Sequence, residues 1–328
     1  MPTSAKRPVD AAMDAERPEK KTVRKLWLAK VQAHHARMAA NNIEGRLYLT
    51  LCGAAGRDLE MLIDSGIISR TETGSLTPDS AELVAAIENS GPAIAQLYKK
   101  FPGLKVHGSS YEHLLHGSSP TKFPLGNEEK LCRSAVVNLD LNSPLASEIV
   151  TGNISFPIVD YLHKLSTIHT AQNKLEWCLL LTLHGELLWN EQTWQFMTNY
   201  LLENLNAVPA FRTAAVSVFG ADTVALVDAG DSTALANAKD KHQRLLLGLL
   251  PKLIADKVRD QRWAIHVDWC FAYGGGGKSA PMGTWAIEFR HSDAQVTPTV
   301  MYTQNIGRIL ANAGLIDGTG KAAMLANH

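Results

Sequence analysis

Two strand-like runs near the C-terminus, Trp263–Phe271 and Thr284–Phe289, are joined by a glycine-rich turn with no helical pattern between them. Strands joined this way must pair antiparallel, because a parallel partner needs a crossover, usually a helix. Earlier in the chain the pattern is the opposite. Arg46–Cys52 reads as a buried strand, runs directly into Gly53-Ala54-Ala55-Gly56, and gives way to a helix over Asp58–Asp64 that Gly66 stops. Strand, glycine turn, helix is the opening unit of an open α/β sheet. The expected fold is therefore α/β: an open, mostly parallel sheet with helices on both faces, an antiparallel C-terminal hairpin and a helical insertion.

The remaining elements follow from periodicity. A weak strand is expected near Gly74–Leu76, then a helix over Ala81–Glu88 and another over Pro92–Lys100. Leu104–His107 reads as a short strand and residues 117–130 as a loop. The clearest strand is Ala135–Leu141, closed by Asn142-Ser143-Pro144. A helix around Phe156–Gln172 precedes Trp177–Leu183, a run apolar enough to be buried on both faces. Helices fill 190–260, and a last helix near Thr303–Ala313 leads into a loose tail. The organisation is thus a disordered tail over 1–18, a basic helix over 19–42, an α/β domain over 43–291 with an insertion at 190–260, and a C-terminal helix and tail over 292–328.

Charge is neutral overall but unevenly placed. Residues 1–46 carry ten basic and five acidic side chains, about +5, so the remainder is about −5. Lys20, Lys21, Arg24 and Lys25 concentrate the excess on the first helix. That helix either lies along a phosphate backbone, with Trp27 as a stacking surface, or packs its apolar stripe on the sheet with its lysines in water. No apolar run reaches the roughly 18–20 residues of a membrane span. No secretory signal is recognisable, so a cytoplasmic location without membrane contact is expected. Cys52, Cys132, Cys178 and Cys270 are far apart and suit reduced thiols. His113 and His116 share a helical face but lack a third ligand at recognisable spacing, so no metal is expected.

Ala272-Tyr273-Gly274-Gly275-Gly276-Gly277-Lys278-Ser279 imitates a phosphate-binding loop. Such a loop needs a helix beginning at the lysine. Here Ala280-Pro281-Met282-Gly283 and a strand follow, so the segment reads as a hairpin connection.

A run of βα units closed by an antiparallel hairpin resembles the class I S-adenosylmethionine-dependent methyltransferase family, over roughly residues 43–291. That family has a seven-stranded sheet with its last strand inserted antiparallel between the fifth and sixth. Aligning Leu49-Thr50-Leu51 with the family's first motif puts its three glycine positions on Cys52, Ala54 and Gly56, with Gly53 one position away. The resemblance implies that this turn approaches the cofactor; the residues alone equally allow a tight connection with no ligand. It implies a ribose-binding group near Thr77 or Asp79, although Asp79 also suits a helix N-terminus. Ser109 and Glu112 fall where the family places adenine-binding groups. Asn138 and Asp140 end the fourth strand and are the candidate catalytic residues, with Asp140 either serving substrate or cofactor or capping the following turn. The implied activity is methyl transfer from S-adenosylmethionine, with nucleic acid as the expected acceptor class. The alternative is a relative that keeps the sheet but has lost catalysis and acts as a binding or assembly subunit. Region 190–260, with Leu245–Leu250 and the Trp189/Trp194/Phe196 group, is core packing, a surface for a protein partner or second copy, or a lid.

Overall fold

The computed structural model describes residues 17–43, 45–108, 134–172, 176–275, 280–292 and 309–325. The fold is α/β, with one nine-stranded mixed sheet covered by helices on both faces. In chain order its strands are β1 (Tyr48–Thr50), β2 (Val84–Ile87), β3 (Lys105–His107) and β4 (Val136–Pro144). A separate two-stranded hairpin, β5 (Glu148–Val150) and β6 (Asn153–Ser155), follows. The main sheet continues with β7 (Trp177–His184), β8 (Trp263–Tyr273), β9 (Met282–His291), β10 (Ala313–Ile316) and β11 (Ala322–Met324). Across the sheet the order is β3-β2-β1-β4-β7-β9-β8-β10-β11. All strands run parallel except β9, which is antiparallel to both β7 and β8, and β11.

The central strands are apolar on both sides because both sides are covered. In β7, Trp177, Leu179, Leu181 and Leu183 enter one core and Cys178 and Leu180 the other. One face carries α1 (Pro18–Ala40), α2 (Arg57–Asp64) and α4 (Gly91–Lys100); α3 (Pro78–Leu83) is a short helix leading into β2. The opposite face carries α5 (Pro157–Gln172), α6 (Glu191–Ala207), α7 (Pro209–Phe219), α8 (Ala221–Asp228), α9 (Ser232–Asn237) and α10 (Lys239–Val258).

Helix α1 begins with Pro18 in its first turn, where the missing N–H costs nothing. It buries Val23, Trp27, Val31, His34 and Met38, spaced three and four apart along one stripe. Trp27 is 1 % exposed, so it is core and not a stacking surface. The 190–260 insertion is five helices, and its Leu245–Leu250 run is buried in the core, so that run is no partner surface. Among the described residues no helix is long and apolar enough to cross a membrane.

Three expectations change. In place of the strand expected near Gly74–Leu76 there is only an isolated bridge between Arg70 and Leu76. The helix expected over Ala81–Glu88 ends at Leu83, and Val84–Ile87 is β2, paired parallel with β1. Two adjacent alanines favour a helix in isolation, but burial between β1 and β3 decides the conformation. The expected loose C-terminal tail contains β10 and β11, which extend the sheet beyond β8 through a turn at Asp317–Gly320.

Candidate functional site

Strands β1, β2 and β3 step outward in one direction, and β4 then returns to the other side of β1. Order reverses there, and ligands of open sheets bind in the crevice outside the carboxyl ends at such a switch point. Those ends carry Thr50 and Cys52 from β1 and Glu88 after β2, and level with the end of β1 lie Asn138, paired with Thr50, and Asp140 of β4.

Beneath the crevice lies a buried polar network. Asp58, the second residue of α2, accepts hydrogen bonds at Oδ2 from Tyr48 (3.1 Å) and from Thr50, and a longer one from Asn138 Nδ2 (3.5 Å). Asn138 Nδ2 also donates to the Tyr48 hydroxyl at 2.6 Å. Burial raises the Asp58 carboxyl above its ordinary range, against the hydroxyl donors and the nearby Arg24 cation. Asn138 is 1 % exposed and faces the α1 layer, where its amide holds Tyr48 and Asp58 under the turn.

The turn above is built as the glycines require. Gly53 (φ +56°) and Gly56 (φ +54°) both have left-handed backbones. A Cβ on Gly56 would stand 2.4 Å from Phe101 Cε2, so that glycine is needed for packing. A Cβ on Gly53 would meet nothing within 4 Å, so the turn's front is open. Ala54 lies between them, half-buried, while Cys52 is a half-buried free thiol. Burial, with the carboxylates of Asp58 and Glu88 nearby, pushes the Cys52 thiol far up, so it stays protonated.

Asp140 is bound by α1. Lys20 Nζ donates to Oδ1 at 2.8 Å and Oδ2 at 3.0 Å. Burial would lower the Lys20 ammonium, but Asp140 and Tyr273 outweigh it and hold its pKa above the ordinary value. The register places Asp140 beside Thr182, and Thr182 beside Thr284, whose hydroxyls hydrogen-bond at 3.2 Å. The carboxyl edge of the sheet thus carries a polar row of Lys20, Asp140, Thr182, Thr284 and Tyr273.

Thr77 and Asp79 are not part of this crevice. Thr77 caps α3, its Oγ1 accepting the Ser80 N–H at 3.4 Å, and Asp79 is in that helix's first turn. Both precede the amino end of β2, because that strand begins eight residues later than the expected one near Leu76 closes. The acid that follows β2 is Glu88, half-buried, its Oε1 accepting the Ser90 N–H at 2.8 Å. Glu88 is not legible in the sequence as a strand-end acid, because Val84–Ile87 in isolation reads as helix. Thr182 is marked in the sequence as a hydroxyl in an otherwise apolar strand, whereas nothing local marks Lys20 or Tyr273 for this row. Ser109, Glu112, His113 and His116 lie outside the described residues. Among the described residues no group of three or more His, Cys, Asp or Glu side chains is placed to hold a metal.

The basic helix is also not a free arm. Lys30 pairs with Asp268 and with Glu288 (3.2 Å), and Arg37 with Glu176 (2.6 Å), so with Lys20 three of its cations bind carboxylates of the domain. Compared with known proteins, the chain matches no protein-family model and no curated sequence.

Proposed function

We propose that the chain binds S-adenosylmethionine at the carboxyl ends of β1, β2 and β4 and transfers its methyl group. The observation that carries this reading is the strand order: β9 lies antiparallel between the parallel strands β7 and β8, with the glycine turn on β1 at the point where the order reverses. This is the arrangement of the class I methyltransferase family. The residues present suit the cofactor. Gly53 leaves open space for a ligand against its backbone. Glu88 offers a carboxylate at the end of β2, able to accept from two ribose hydroxyls.

The bound cofactor supplies a methyl group already activated on a sulfonium, so the protein's task is alignment. Gly53 and Ala54 would lie against the methionine part and Glu88 would hold the ribose. Asp140 would orient the acceptor, with Lys20 fixing the carboxylate and offsetting its charge. The bidentate hold of Lys20 on Asp140 also favours a second reading, a binding subunit in which this carboxylate is only a tie between α1 and β4.

Calorimetric titration with S-adenosylmethionine and S-adenosylhomocysteine tests the proposal. Saturable binding that Glu88→Gln weakens while the fold survives supports it. No heat of binding at high micromolar ligand rejects it in favour of the binding subunit.

A further inference from the structure

Between α1, α2 and the end of α4 lies a cleft of about 700 Å³ lined by Lys21, Arg24, Lys25, Arg57 and Lys100. Glu60 and Asp64 also line it, so five cations face two carboxylates, an excess of three. The cations come from three elements that tertiary folding brings together. Lys100 Nζ donates to the Ala55 carbonyl at 2.7 Å and pairs with Glu60 at 2.7 Å, and Arg24 stands near Asp58. Lys21 and Lys25, one turn apart on α1, are exposed. Leu28 and Met61 add apolar wall. Ala55, in the Gly53–Gly56 turn, forms part of the rim, so the cleft begins beside the turn proposed to hold the methyl donor.

We infer that this cleft takes the phosphodiester backbone of a single-stranded nucleic acid, which would be the methyl acceptor; that last step rests on the methyl-transfer reading above. Positive charge with an apolar wall suits a sugar-phosphate strand, and a concave site fits a strand better than the flat surface of a bilayer. The cleft residues offer charge and apolar contact, so binding is expected to tolerate many sequences.

The test is fluorescence anisotropy of labelled single-stranded RNA and DNA of one mixed sequence with the full chain, across a salt series. Neutralising about three phosphates on a single strand gives a log–log salt slope of roughly −2, so affinity falls roughly 20-fold between 50 and 200 mM salt. In Lys21→Gln/Lys25→Gln the slope should shrink to about −0.7 and low-salt affinity should fall at least tenfold. Both side chains are exposed, so the melting temperature should stay unchanged, and the exposed Lys239→Gln should bind as wild type. A preference for RNA or for DNA would identify the sugar and support the inference either way. Binding of neither, an unchanged slope in the double variant, or binding only to phosphatidylserine vesicles would overturn it. Calorimetry with S-adenosylmethionine separates the two claims: intact cofactor binding with no nucleic-acid binding rejects this inference alone. Nucleic-acid binding without cofactor binding rejects methyl transfer alone.

Discussion

Lys20 Nζ stands 2.8 and 3.0 Å from the two carboxylate oxygens of Asp140, tying the first turn of α1 to the end of β4 across 120 residues of chain. The same turn is held from another side, where the Thr22 hydroxyl donates to the Gly320 carbonyl at 2.6 Å. The start of the helical chain and the turn before its last strand thus meet at the edge of the proposed crevice. Removing one partner of the pair leaves the other desolvated. Asp140→Ala should cost about 2 kcal/mol, below the roughly 3–5 of a fully buried pair. The discount follows because the two side chains keep 15 % and 21 % exposure. Lys20→Met/Asp140→Leu should recover most of that loss. Urea unfolding of the two single variants and the double closes the cycle, and a double variant as unstable as Asp140→Ala would refute the pairing argument.

Glu88 and Thr77 separate ligand binding from stability. Charge-assisted hydrogen bonds contribute about 1.5–3 kcal/mol, so Glu88→Gln should weaken S-adenosylmethionine roughly tenfold to a hundredfold. The Gln amide oxygen can still accept the Ser90 N–H, so the fold should hold. Thr77→Val removes the α3 cap and should cost about 1 kcal/mol of stability with no change in affinity. Calorimetry and thermal melts read the two effects separately; affinity lost in Thr77→Val would return the ribose site to the start of α3.

The two turn glycines should respond differently to the same change. Gly53→Ala and Gly56→Ala each force a left-handed alanine, at about 1–2 kcal/mol. At Gly56 the new Cβ also strikes Phe101, and overpacking adds about 1–3 kcal/mol. Gly56→Ala should therefore be the less stable by urea unfolding. Gly53→Ala should keep its fold and lose cofactor affinity, since its Cβ enters the open front of the turn. Equal stability of the two variants would contradict the packing described for Phe101.

These residues also mark what the sequence made legible. β7 could be read because both faces are covered, which leaves a continuous apolar run; the terminal hairpin could be read because nothing helical separates its strands. β2 could not, because Val84-Ala85-Ala86-Ile87 becomes a strand only through its neighbours β1 and β3. Reading that segment as helix moves the end of the second strand from Glu88 to Thr77 and Asp79. The turn Gly53–Gly56 and Asp140 were visible as local patterns. Lys20 was visible only as one charge among ten, since its role depends on a partner 120 residues away. Asn138 stood out as a polar residue in an apolar strand, but sequence does not show whether such a residue faces a ligand or a buried aspartate.

The far end of α1 contributes to the response to acid. His34 and Glu288 are 2 % and 6 % exposed, with His34 Nε2 3.9 Å from a Glu288 carboxylate oxygen. Burial, with Arg37 and Lys30 adding repulsion against the pull of Glu288, lowers His34 from 6.5 to about 4. Burial alone would raise Glu288, but Arg290 and Lys30 prevail and bring it from 4.5 to about 2. Both folded values lie below the unfolded ones, so both groups give stability that is complete above the unfolded pKa and lost as pH falls toward the folded one. The His34 contribution should disappear between pH 6.5 and about 4, and that of Glu288 between 4.5 and about 2. Each shift corresponds to roughly 3 kcal/mol. Unfolding free energy from urea titrations should hold steady above pH 6.5 as far as these two groups decide it, then fall in two overlapping stages. His34→Leu should flatten the upper stage. Glu288→Gln should flatten the lower one while losing stability at neutral pH, because Lys30 and Arg290 keep their charge and lose a shared partner. If His34→Leu kept the wild-type slope between pH 6.5 and 4, a different group would have to carry the upper stage.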